Sequence, residues 1–295
     1  CNSSIDKLTP FLEEHPDYKA YISELRALRA IYYYNAMDLF AQVPVVTSSK
    51  QSTSDVKQSN RSDVFQFVTS ELEAALPDLG DGHCQNTGEY YGRVTKAVAY
   101  MCLAKCAINA PVYTIDDTSA SSYQAVVGTD LSKQATASET LGQAVSDKGK
   151  TIMMTVDGKQ RNCWETVKYC VDKIQAAGYS LTANYADNFV KSNESSTENI
   201  FVRPNDDKTY KITDYNLMRS LHYNHASAIG YSGWNGACAT VRAMQVMGYG
   251  TASEDLRLRL NYWCDQDFEK EQKTGSLNDG ATSTPLEYEP LKAVV

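Results

Sequence analysis

The stretch that most constrains this chain is 24–46, ELRALRAIYYYNAMDLFAQVPVV. Leu25, Leu28, Tyr32, Ala36 and Leu39 are spaced 3, 4, 4 and 3 apart, which places them on one face of a helix. Arg26 and Asp38 fall largely off that face, and Arg29 lies beside it. Tyr32, Tyr33 and Tyr34 point around the helix, so at least two of its sides are expected to meet other protein, as in an internal strut. Pro44 forbids further helix and favours extended chain at Val43.

Downstream, three more helices are legible. One opens near Ser62–Asp63, buries Phe65, Val68, Leu72 and Ala75, and stops at Pro77. The next covers 92–110, capped by Thr95, with Val98, Met101, Lys105 and Ile108 on the period beside Ala97 and Ala104. The last is capped by Asn162 with Glu165 three residues on, carries Trp164, Val167, Val171 and Ile174 as its stripe, and ends at Gly178. That stripe assigns Trp164 to the core. Residues 1–21 read as a helix end and connector broken by Pro10 and Pro16, and 47–60 as a polar loop. Residues 111–160 lack a strong period and read as a surface insertion, with a β-turn at Asp157–Gly158. After Glu198 the pattern changes to a β-like ENIFVRP run, then glycine-punctuated aromatic sequence with a short helix near 239–247.

The 24–46 stretch, the RSDVFQFVTSELEAALPDL run at 61–79, GRVTK at 92–96 and GYSLTANYADNF at 178–189 together resemble the SusD/RagB family of Bacteroidetes surface glycan-binding lipoproteins. The resemblance covers most of 20–110 and 160–260 and extends to the E-x-I-F run, the Gly–Asn–Gly loop and a D-x-R element at Asp255–Arg257. It implies a mainly α fold: a TPR-like α-α superhelix of helix pairs with long loops and a small irregular, β-containing, ligand-facing subdomain. On that view 1–295 is one SusD-like domain, with 20–110 and 160–180 as helical scaffold, 111–160 as insertion and 181–295 as the ligand-facing part. It implies a cell-surface protein of the outer membrane that binds oligosaccharide or polysaccharide and delivers it to a SusC-like TonB-dependent transporter. Such proteins hold the membrane only through an N-terminal lipid anchor. Cys1 is expected to be an ordinary residue of a shortened start and not that acylated cysteine, because helix-compatible sequence follows it at once.

Composition narrows the rest. A net charge of −8 argues against nucleic acid as a partner. Twenty Tyr against seven Phe is a marked excess; phenol rings suit sugar stacking, core packing and polar interfaces alike. The eight cysteines include no C-x-x-C pair and no histidine at zinc-finger spacing, so buried apolar thiols are expected, with no metal and no cofactor.

Sugar recognition needs aromatic faces for the C–H side of a pyranose and planar polar groups that fork across adjacent hydroxyls. The glycine-flanked loop 230–236 supplies Tyr231, Trp234 and Asn235; a second cluster is Tyr223 with His222, Asn224 and His225; a third is Tyr91 with Tyr90. Each of these aromatics reads equally well as packing, Trp234 as an indole that locks its loop. A glycoside hydrolase would need two facing carboxylates; Glu194, Glu198 and Asp214 are scattered and sit in no motif, so no enzyme is expected. A helical-repeat scaffold or adhesin that binds protein accounts equally well for the helices and the tyrosines.

Overall fold

The computed structural model describes residues 1–116, 145–189, 193–204, 219, 232–234 and 239–261. The chain divides into two compact units, Cys1–Pro204 and Asn205–Val295. Among its described residues the first holds α1 (Asn2–Leu8), α2 (Tyr18–Phe40), α3 (Arg61–Ala75), α4 (Lys96–Tyr113), a hairpin of strands β1 (Met153–Val156) and β2 (Lys159–Asn162), and α5 (Cys163–Ala176). A further helical segment spans 145–151.

Helices α2 and α3 form an antiparallel pair. Lys19 meets Asp78, Arg26 and Arg29 meet Glu71, and the Tyr33 ring stands edge-on to Phe67 at 5.1 Å. The start of α4 lies beside the end of α5, with Tyr100 edge-on to Tyr169. These are the inward-facing helix pairs that the sequence predicts, and one continuous hydrophobic core runs through both of them.

The stripes are rotated from their predicted positions. In α2 the buried line is Ala27, Ala30, Ile31, Tyr34 and Met37, whereas Tyr32 and Leu39 are 64% and 73% exposed. The strut thus has one bare side: α1, α3 and α4 cover the remainder. In α4 the core side is Val98, Ala99, Cys102, Leu103, Cys106, Ala107 and Ala110, with Lys105 and Ile108 outside. In α5 it is Cys163, Thr166, Cys170 and Ile174; Val171 is exposed, and Trp164 is half-buried against the core with its indole N–H on the Ser146 carbonyl at 2.8 Å. Small residues take a large share of each buried line, Ala27 and Ala30 in α2, Ala99, Cys102, Cys106, Ala107 and Ala110 in α4, and Cys163, Thr166 and Cys170 in α5, which lets the helices approach closely. Cys84, Cys102, Cys106, Cys163 and Cys170 are accordingly free and buried, and no metal-binding cluster occurs among the described residues.

Helix ends follow local chemistry. Asn162 and Glu165 close the expected capping box on α5, and Gly178, at φ +94, supplies the left-handed residue that lets Tyr179 N reach the Ile174 carbonyl. The α3 start is capped from afar, by the Asp116 carboxylate on Ser62 N and Oγ. Thr95 precedes α4 as expected, but its buried side chain makes no capping bond to the helix. Two further departures concern β structure. The insertion ends in a hairpin, β1 pairing with β2 in antiparallel register across the Asp157–Gly158 turn. The ENIFVRP run is not a strand; it is held as loop, with Glu198 accepting from Thr182 N, Thr182 Oγ1 and Asn188 Nδ2.

In the second unit, α6 (Val241–Val246) is capped by Thr240 Oγ1, which accepts from Ala243 N. Helix α7 (Leu256–Asn261) follows, opened by a bidentate Asp255–Arg257 pair and carrying the buried Leu258.

Two outcomes follow. The Arg29–Glu71 pair is about nine-tenths buried, so Glu71→Ala, which strands the guanidinium, should cost roughly 3–5 kcal/mol. Arg26→Ala at the half-exposed partner should cost about 1 kcal/mol, both read from urea midpoints. Burial also pushes the Cys163 and Cys170 thiols from 9.0 up to about 11 and about 12. The unfolded chain releases those protons first, so their contribution is complete below about pH 9 and is lost as pH rises through the folded values. Urea midpoints should therefore decline above about pH 9, and Cys170→Ala should flatten that decline.

Candidate functional site

The described residues place the sequence-predicted aromatics in different settings. Trp234 lies in the second unit and is 51% exposed. Tyr91 lies in the first unit, half-buried in the loop between α3 and α4, where its N–H donates to the Gly88 carbonyl. Tyr231, Asn235 and Tyr223 lie outside the described residues.

Tyr90, beside Tyr91, is a packing residue. Its ring crosses the loop backbone so closely that a Cβ on Gly80 or Gly82 would come within 2.1 or 2.0 Å of it. The Arg93 guanidinium lies 5.2 Å above the Tyr90 ring, and Arg93 is held in turn by Glu24 of α2. The same loop is fastened to 177–202. His83 stacks on Tyr179 at 4.4 Å and bonds the Ala177 carbonyl, Gln85 Nε2 donates to the Ser196 carbonyl, and the Cys84 thiol accepts from Val202 N.

A concave site of about 730 Å³ opens next to this loop, wholly within the first unit. Its apolar wall is Leu76 and Pro77 after α3 and Ala97 at the start of α4. Its polar groups come from three segments: Lys96 and Tyr100 of α4, Tyr169 and Lys173 of α5, and Asp157 at the hairpin tip, with Asp81 at the rim. The hairpin tip is fixed on both sides. Asp157 N and Gly158 N donate to the Glu73 carboxylate at 3.0 and 2.8 Å, and Asp157 Oδ2 accepts from Tyr100 and Tyr169 at 2.7 and 2.6 Å. Burial and then the Asp157 carboxylate raise both phenols above their usual range, so both stay protonated donors at any physiological pH. Arg161 covers one aromatic face, its guanidinium carbon 3.7 Å from the Tyr169 centroid.

The two lysines differ in their commitments. Lys96 pairs at 2.9 Å with Asp81, whose side chain is 82% exposed. Lys173 Nζ lies 5.3 Å from the Tyr169 centroid and meets no carboxylate at ion-pairing distance among the described residues. The sequence gives little warning of this cleft, because its groups are brought together from 76–100, 157 and 169–177 only by folding. The one local sign is the Asp157–Gly158 turn itself.

With this geometry in hand, comparison with known proteins defines the class of fold. A solved SusD-like protein from Bacteroides fragilis NCTC 9343 superposes on 81% of this chain with a TM-score of 0.51 at 17% identity, and this chain spans 38% of that one. A second solved structure, described as a laminarin-binding SusD-like protein, matches 43% of this chain and 27% of its own at 25% identity, with a TM-score of 0.33. No family model matches the chain, and no curated protein does. The fold is SusD-like and mainly helical, as the resemblance of the 24–46 stretch implies.

The clamp on the hairpin tip is open to test. Tyr100→Phe removes one donor to Asp157, and the loss should be about 1.5–3 kcal/mol of stability. Asp157→Ala, which strands the buried Tyr100 phenol and also releases the more exposed Tyr169 phenol, should cost at least as much in the same denaturation assay.

Proposed function

We propose that this chain belongs to a cell-surface glycan-binding protein of the SusD-like type, which grips an oligosaccharide or polysaccharide without altering it. The observation that carries the reading is the SusD-like fold across 81% of the chain. Two features agree with it: the half-exposed indole of Trp234 and, within the first unit, the Tyr91 loop that joins two packed helices. The residues proposed to meet glycan are Trp234, Tyr231, Asn235 and Tyr223 of 205–295, and Tyr91 of the first unit. Stacking would supply most of the affinity and the amide of Asn235 the orientation. By the same reading the protein sits on the outer membrane through a lipid anchor and passes glycan to a SusC-like TonB-dependent transporter. No helix among the described residues is long and apolar enough to cross a membrane.

A second reading, protein contact, is favoured by the bare side of α2, where Tyr21, Tyr32, Leu39 and Phe40 are all exposed. It is compatible with the first, since delivery to a transporter itself requires a protein face.

Titration calorimetry against a panel of soluble polysaccharides decides between them. At least one glycan should bind, and Trp234→Ala should weaken it about tenfold, near 1.4 kcal/mol, with the helical circular dichroism unchanged. Absence of binding across the panel, or full binding by Trp234→Ala, would remove the assignment. Release of new reducing ends would point to a hydrolase.

A further inference from the structure

We propose that the cleft between α3, α4, α5 and the hairpin tip is a binding site for an anionic sugar residue, one bearing a carboxylate or a sulfate ester, with Lys173 and Lys96 as its counter-charges. The inference rests on the glycan-binding reading and narrows it to a class of sugar and to a place in the first unit.

Size and shape come first. A volume of about 730 Å³ falls within the range of roughly 300–1,000 Å³ typical of small-molecule sites. Pro77 offers an apolar patch at the cleft, backed by the buried Leu76 and Ala97.

Charge decides the kind of sugar. Four ionised groups line the cleft, two lysines and two aspartates, and they are not equally available. Asp157 is committed: two phenolic O–H groups converge on its Oδ2 and the hairpin backbone fixes its position. Asp81 is a loosely held partner, 82% exposed and joined to Lys96 by a single rim ion pair, the kind of contact that contributes about 0–1 kcal/mol. An incoming anion displaces it at little cost. Lys173 faces the cleft with an aromatic ring as its neighbour and no carboxylate at ion-pairing distance among the described residues. The site therefore holds one ammonium that rests on an aromatic ring and pairs with no carboxylate among the described residues, and a second held only by a rim ion pair.

The remaining polar atom suits a polyol. Asp157 Oδ1 accepts no hydrogen bond among the described residues, whereas Oδ2 accepts two. It is an acceptor left for a sugar hydroxyl in a cleft that the two lysines also line. Because the whole chain carries −8, long-range attraction of an anion is not expected; recognition is by contact.

The test is calorimetry on the intact chain with three trisaccharides: a galacturonate trimer, the same trimer with its carboxyls reduced to alcohols, and a sulfated neutral trimer. The galacturonate or the sulfated trimer should bind at one site, and the reduced trimer should bind at least about tenfold more weakly. Lys173→Gln and Lys96→Gln should each weaken the anionic ligand by about three- to tenfold. Asp81→Asn, which frees Lys96, should tighten it, a change that damage to the fold would not produce. Which anionic trimer binds distinguishes carboxylate from sulfate. Equal binding of the reduced trimer, no binding of either anionic one, or unchanged affinity in Lys173→Gln would overturn the inference. Trp234→Ala separates the two proposals. Neutral glycan bound through Trp234 with the anionic trimers ignored sinks this inference alone. Anionic trimers bound by Trp234→Ala as by the parent chain, with no polysaccharide held, sink the placement of glycan at Trp234 alone.

Discussion

One carboxylate organises the first unit. Glu71 of α3 receives two guanidinium groups from α2, Arg26 on one oxygen and Arg29 on the other. Arg29 also donates to Asn2 of α1 and to the Thr47 carbonyl in the segment that leaves α2. A single buried cluster thus fixes the distance between the first two long helices, the seating of the N-terminal helix and the path of the exit chain. Desolvating three charges is costly, and the cluster is tolerable only because each donor and acceptor finds its partner. Tyr33 extends the same arrangement, exchanging hydrogen bonds with both the N–H and the carbonyl of Val46.

The sequence is a good guide to where this fold has helices and a poor guide to how they are turned. Asn162 with Glu165, Pro77 and Gly178 mark their ends correctly because capping and chain-breaking are local chemistry. The α3 stripe is also read correctly, since Phe65, Val68, Leu72 and Ala75 are unambiguous. Elsewhere, choosing the largest apolar residue at each turn selects Tyr32, Leu39, Ile108 and Val171, all of which point outward. The helices meet instead through Ala27, Ala30, Cys102, Cys106 and Cys170, whose size permits close approach but whose hydrophobicity is too slight to dominate a periodicity count. The Asp116 cap on Ser62 was equally illegible, because it is supplied from 54 residues away.

The same division between local and distant information governs the sites. Trp234 stands out in the sequence because glycines bracket it, and it proves half-exposed. Tyr90 looked like its equal, yet glycines near an aromatic have a second use, which is to let the ring lie against the backbone, and Tyr90 spends its face in that way. The cleft beside it has no motif at all. Lys96, Asp157 and Lys173 are ordinary surface residues by type, and only the packing of α4 on α5 and the docking of the hairpin on Glu73 converge them.

Five cysteines lie reduced within the packed first unit, and burial moves several of those thiols away from the reactive thiolate. The packing of these five cysteines in the first unit uses them as thiols and not as disulfides. It also carries its own clock: an electrophile added from outside would modify these sulfurs only as fast as the helices part, so the rate of labelling records how often the body of the protein breathes.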